Sequence, residues 1–184
     1  MKPLRLTMQA FGPFAGREIV DFREATSAGL FGVYGPTGAG KTTIFSAMTF
    51  ALFGEAAKEE QETVSLRSDH AVPSLPTEVE LVFDLAGRRY VVRRRPEQMR
   101  PRQRGNGSTK APHEAWLFDA TGMKLDAITP EGAGKILVEK KPGAVGPAVE
   151  GLLGYGAVQF RQIVLLPQGR FERFLAAKTD ARLA

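Results

Sequence analysis

A chain of 184 residues with 43% hydrophobic content and a net charge of +5 is long enough to bury a core, which excludes disorder as the default state. It has no cysteine, so a disulfide scaffold and cysteine-ligated zinc or iron–sulfur sites are excluded. The start Met1-Lys2-Pro3-Leu4-Arg5 lacks the apolar stretch of a secretion signal and no run approaches the length of a membrane span, so a cytoplasmic location without membrane contact is expected.

In chain order, the apolar segments Leu4–Met8, Ile19–Phe22 and Leu30–Tyr34 predict strands, with Phe11-Gly12-Pro13-Phe14 as a turn carrying aromatic anchors. The third strand runs into Gly35-Pro36-Thr37-Gly38-Ala39-Gly40-Lys41-Thr42, a G-x-x-x-x-G-K-T phosphate-binding loop. Ile44, Ala47, Met48, Ala51 and Leu52 then recur at helical spacing, and Gly54 is the expected left-handed cap. Residues 55–76 read as a surface excursion. Val79, Leu81, Phe83 and Leu85 alternate with acids in a half-buried strand pattern broken by Val82, Ala86-Gly87 turns the chain, and Tyr90-Val91-Val92 begins a return strand. Residues 77–95 are therefore expected to form an antiparallel hairpin, Pro101–Pro112 a mobile polar stretch, and Ala115–Phe118 a strand closed by a turn at Asp119–Gly122. From Pro130 the pattern predicts helix, around Lys135–Glu139 and again over Val145–Leu153.

The loop Gly35–Thr43 carries the chemistry. Glycines let successive backbone N–H groups turn toward a phosphate, Lys41 adds a point charge, and the helix N-terminus adds its positive dipole end. A nucleoside triphosphate with magnesium held by Thr42 is the ligand this arrangement suits. An ordinary glycine turn is the plain alternative. It does not require a lysine and a hydroxyl in fixed register between a strand and a helix.

Arginines concentrate at Arg88, Arg89, Arg93, Arg94, Arg95, Arg100, Arg102 and Arg104, against the single acid Glu97. Strand alternation puts Arg93 and Arg95 on one face and Arg94 on the other, beside whatever the hairpin packs on. Arg93, Arg95, Arg100, Arg102 and Arg104 are the candidate contacts to DNA phosphates, with a solvated hairpin as the alternative; few aromatics are interleaved, so base stacking is not indicated. His70 and His113 lack companions that would make a metal site.

Near the end, Phe160-Arg161-Gln162-Ile163-Val164-Leu165-Leu166-Pro167-Gln168-Gly169 places a glutamine in a turn after an apolar run, ahead of amphipathic positions Phe171, Phe174 and Leu175. This is how an ABC-type ATPase reaches its magnesium and attacking water, the amide oxygen serving as a withdrawable ligand.

With Ala10-Phe11-Gly12-Pro13-Phe14, the phosphate loop and Leu66-Arg67-Ser68-Asp69, this segment makes the chain resemble the N-terminal half of the ATPase head of the SbcC family. These are bacterial DNA-repair exonuclease subunits related to structural-maintenance-of-chromosomes (SMC) proteins. The resemblance implies an α/β P-loop fold, an ABC-type N-terminal lobe with an antiparallel β subdomain and flanking helices. Residues 1–184 would form part of a head that needs its C-terminal half, with 160–184 giving the glutamine loop and the start of a helix toward a coiled coil. It further implies that Gly35 to Thr43, including Pro36, Thr37, Gly38, Ala39 and Gly40, cradle ATP, that Lys41 and Gln168 act in hydrolysis, that Thr42 and Gln168 hold Mg2+, and that Val64 lies near the adenine. The implied partners are a second head in a homodimer, an SbcD-type manganese nuclease and double-stranded DNA. Related heads carry an arginine where this chain has Gly12.

Four apolar residues followed by Asp-Glu, and a Ser-Gly-Gly signature, are both missing from the sequence; Leu81-Val82-Phe83-Asp84 is followed by Leu85, and Trp116-Leu117-Phe118-Asp119 by Ala120. The expectation is thus an ATP-binding half of a DNA-repair ATPase, inactive in hydrolysis by itself. The alternatives are a small P-loop kinase or GTPase, which lacks support because no guanine-reading Asn-Lys-x-Asp is present, and a nucleotide-responsive DNA-architectural module.

Overall fold

A computed structural model describes residues 1–28, 32–55, 66–102 and 107–161. Its centre is a six-stranded sheet in the order β2-β1-β3-β4-β7-β8, formed by β1 (Lys2–Phe11), β2 (Phe14–Asp21), β3 (Glu78–Leu85), β4 (Arg88–Arg95), β7 (Glu114–Asp119) and β8 (Lys135–Val138). Every ladder in it is antiparallel. Between β4 and β7 the chain makes a separate hairpin, β5 (Gln98–Pro101) with β6 (Ser108–Ala111). Helices α1 (Lys41–Phe53), α2 (Pro142–Leu153) and the single turn α3 (Ala157–Gln159) complete the described elements, with 3-10 turns at Ala25–Ala28 and Leu125–Ala127.

Alternation along the strands builds two cores. Leu6 and Met8 of β1, Leu81 and Phe83 of β3, Val92 of β4 and Leu117 of β7 face the helices, with Ala47, Phe50, Ala51 and Leu52 of α1 and Val145 and Val149 of α2. The opposite face, with Val82, Val91 and Phe118, is covered by Ala120, Leu125, Ile128 and Ala133. This second layer explains why Val82 breaks the alternating pattern: β3 is buried on both faces and is not half-exposed. The tight turn after β3 has both central residues in left-handed conformations, Ala86 at φ 49 and Gly87 at φ 78, which matches the twist of the hairpin.

Several sequence expectations are corrected. Residues 135–139 are not helical. Lys135–Val138 is an edge strand, because the open edge of β7 satisfies its backbone groups by pairing, Leu117 with Val138, Phe118 with Ile136 and Asp119 with Lys135. Within the polar stretch Pro101–Pro112, Ser108–Ala111 form strand β6, paired to β5. The excursion over 55–76 is not wholly superficial either: Leu66 and Ser68 are buried, and the Gly12 N–H donates to the Leu66 carbonyl at 2.9 Å while the Ser68 N–H donates to that of Ala10 at 2.9 Å. Within the described part of Leu30–Tyr34 no strand forms and Tyr34 is 93% exposed. A strand feeding a crossover helix pairs in parallel, and the ladders of this sheet are all antiparallel. Helix α1 ends at Gly54 as expected, φ 78, its N–H bonded to Phe50 O. It is buried over all of Ala47–Phe53 rather than on one stripe, since α2 packs on its far side. No helix among the described residues is long and apolar enough to cross a membrane.

Candidate functional site

The glycine loop sits at the N-terminus of α1. Gly38 at φ 85 and Gly40 at φ 82 adopt left-handed conformations that a side chain would strain, and Gly40 is the residue from which the helix starts. The Ala39 N–H donates to Pro36 O at 3.3 Å, and Thr43 and Ile44 donate to Gly40 O at 3.0 and 3.3 Å. The N–H groups of Lys41 and Thr42, in the first turn, have no helical acceptor by geometry and point out of the helix end. Lys41 Nζ arches back over the loop, donating to the carbonyls of Gly35 at 2.8 Å and Pro36 at 2.7 Å. Gly35 to Ala39 and Thr42 are exposed. The result is an accessible concentration of positive charge: a folded-back ammonium, free N–H groups and a helix dipole end.

The β1–β2 turn packs closely against the start of α1 at two places. A Cβ on Gly40 would lie 2.6 Å from Phe14 Cζ, and one on Gly12 would lie 2.8 Å from Thr43 Cγ2. Gly12 therefore cannot be exchanged for a larger residue without moving Thr43, and its φ of 56 adds strain for any side chain.

The other end of α1 is held by Arg94, 1% exposed, whose Nε donates to Ala51 O at 2.7 Å and whose second guanidinium nitrogen donates to Leu52 O at 3.0 Å. Burial pushes Arg94 down to about 10, still charged at neutral pH. Its positive charge meets the carbonyls and negative dipole end of α1. Beside it, His113 stacks on Phe50 with ring centroids 5.8 Å apart. Burial, and then the neighbouring Arg94 charge, hold His113 down to about 4, so the ring is neutral at pH 7.

Arg93 and Arg95 do share the opposite face, but Arg93 is consumed there. It is 8% exposed, it donates to Glu80 Oε2 at 3.0 and 2.6 Å, and its remaining donors reach Pro130 O at 2.8 Å and Thr129 O at 3.3 Å. Arg5 joins from β1, bonding Glu80 at 3.2 Å and Ile128 O at 2.8 Å. The two arginines tie the 125–130 loop onto the sheet, and Arg93 is withdrawn from the expected DNA-contacting surface. Arg95 is half-exposed, bonded to Glu78 at 2.6 Å and placed 5.5 Å from the Trp116 ring centre. Arg100 and Arg102 are exposed on and just after β5. Val64, Arg104 and Gln168 lie outside the described residues, as do residues 162–184. The placement of Phe14 and Arg94 at the two ends of α1 is what sequence reasoning missed. Strand alternation did signal Arg94's side of the sheet, but nothing local signals that α1 ends there.

Sheet, helices and glycine loop together define a P-loop lobe, and the chain belongs to the AAA domain family, which matches residues 5–184. Among curated proteins it is similar to SbcC of the Vibrio cholerae SbcCD nuclease, 44% identical over 182 residues, 99% of this chain and 17% of that protein. The same-named protein of Lactococcus lactis is 38% identical over 184 residues, 100% of this chain and 17% of that protein. The chain thus spans about a sixth of the length of these relatives, 17% in each case. A solved structure described under ATP-driven dimerisation and DNA-stimulated activation of SMC ATPases has the same fold, with TM-score 0.60 and 17% identity, covering 100% of this chain and 96% of that one. The resemblance to the SbcC family read from the motifs is borne out.

Proposed function

We propose that this chain is the ATP-binding part of the head of a DNA-repair ATPase, in which closure of two heads on ATP controls access of DNA to a partner nuclease. The observation that carries the reading is the exposed loop Gly35–Thr43, with Lys41 folded over it at the start of α1. Its residues fit a polyphosphate: a Cβ at Gly38 meets no atom within 4 Å, so backbone alone faces the ligand there, and Lys41 can exchange two carbonyl acceptors for phosphate oxygens. Thr42, exposed on the first turn, is the hydroxyl suited to Mg2+. The metal supplies neutralisation of phosphate charge when bound. Gln168 is the proposed second ligand and water-positioning group, and Val64 the proposed adenine neighbour.

Relatives named as the SbcC component of the SbcCD nuclease support a DNA-repair setting with an SbcD-type partner, and the SMC-like fold supports ATP-dependent pairing of heads. Neither four apolar residues followed by Asp-Glu nor a Ser-Gly-Gly signature occurs in the sequence, so on this reading the 184-residue chain binds ATP without turning it over. Arg100 and Arg102, with Arg104 and the partly exposed Arg95, form the proposed DNA-phosphate surface.

The test is the melting temperature of the chain with and without saturating ATP and Mg2+. At about 100-fold above the dissociation constant, binding stabilises the native state by roughly 2.7 kcal/mol. Lys41→Ala should remove most of that shift while leaving the melting temperature without nucleotide nearly unchanged. An undiminished shift in the variant overturns the reading.

A further inference from the structure

We propose that Phe14 is a positioning residue for the phosphate-binding loop: its ring, set by the β1–β2 turn, holds Gly40 and the start of α1 in the geometry that receives a phosphate. The inference rests on the phosphate reading of that loop and goes beyond it by assigning the loop's shape to a residue outside the motif.

The turn is itself anchored. Phe11 is 1% exposed and its ring centroid lies 6.1 Å from that of Phe50 in α1. Phe11 pairs with Phe14 across Gly12-Pro13, and the Gly12 N–H is bonded to Leu66 O at 2.9 Å. From this fixed base the Phe14 ring presents its far end to Gly40: a Cβ there would lie 2.6, 3.3 and 3.4 Å from Cζ, Cε2 and Cε1. Gly12 abuts Thr43 in the same way. The contacts fall on Gly40 and Thr43, three positions apart, so the turn touches one face of the first helical turn. Gly40 is the pivot of that turn, since its carbonyl accepts from both Thr43 and Ile44.

A glycine at φ 82 loses more conformational freedom on ordering than other residues, and the ring restricts it by occupying the space into which it would relax. Phe14 acts on the loop and not on the ligand. Its loss should scatter the N–H groups of Lys41 and Thr42 without removing any group that binds phosphate.

The experiment compares Phe14→Ala, Phe14→Leu and, as a control for general destabilisation, Val82→Ala in the second core, all in the full chain. Amide exchange of Thr43 and Ile44 is read without nucleotide, and ATP–Mg2+ affinity by calorimetry. Phe14→Ala should speed exchange at these amides and weaken ATP by on the order of tenfold, which corresponds to about 1.4 kcal/mol. Phe14→Leu should fall between, and Val82→Ala should change neither while lowering the unfolding midpoint. Unchanged Thr43 and Ile44 exchange in Phe14→Ala overturns the proposal, as does equal loss of affinity in Val82→Ala. If the wild type binds no ATP, the phosphate reading fails, while the exchange measurement still decides whether Phe14 sets the loop.

Discussion

The Arg94 guanidinium on β4 donates to the Ala51 carbonyl at 2.7 Å, so a charged side chain from the centre of the sheet closes the C-terminal end of the helix whose N-terminal end carries the glycine loop. A β-strand arginine thereby fastens the end of α1 to the sheet.

Replacing Arg94 with alanine leaves two helix-terminal carbonyls without this donor and opens a void against Gly54. We expect a loss of about 2–4 kcal/mol in unfolding free energy. Arg94→Lys keeps the charge but offers a single point of donation, and it should recover part of that loss. Urea unfolding of both variants checks the order.

His113 gives the fold an acid limb. Its folded value is about 4 against an ordinary 6.5, because burial and the Arg94 charge oppose protonation, with Glu97 acting weakly the other way. The unfolded chain therefore binds a proton between these values that the folded chain refuses. The stability held by the neutral ring is complete above pH 6.5 and is lost as pH falls toward 4. His113→Phe, which can still stack on Phe50, should show a smaller drop in urea midpoint between pH 7 and pH 5 than wild type.

Glu80 is 5% exposed and held by both Arg93 and Arg5. Arg93→Ala should cost on the order of 3–5 kcal/mol by leaving a buried carboxylate half-compensated. The paired change Glu80→Leu with Arg93→Met should cost less than Arg93→Ala alone, because no charge then remains unpaired. Equal losses in chemical denaturation would mean that the charge pairing is not what matters there.

Removal of charge at Arg100 and Arg102 should weaken DNA binding by the assembled head for all sequences alike. Each lost phosphate contact should lower the slope of log affinity against log salt by about 0.9. Both substitutions should leave stability near wild type, since the two side chains are exposed. Titrations at several salt concentrations check this, and an unchanged slope removes these arginines from the interface.

The sequence by itself determined what depends on neighbours along the chain. The order of residues 35–43 specifies a glycine loop at a helix start, Gly54 specifies the helix end, and Ala86-Gly87 specifies a hairpin whose strands alternate face by face. Those features rest on local sterics, on glycine's access to left-handed backbone and on the period of a strand, all of which are written within a few residues. Tertiary structure alone decided the rest. Lys135–Val138 became a strand because an open edge of β7 was there to receive it, against a local pattern that suited helix. Val82 and Arg93 were buried because the 120–134 segment folded over that face, turning an arginine run that read as a cationic surface into an ion-pair network around Glu80. Phe14 met Gly40, and Arg94 met Ala51, across 26 and 43 positions of chain. Contacts at such separations depend on where whole elements dock, which no local pattern encodes.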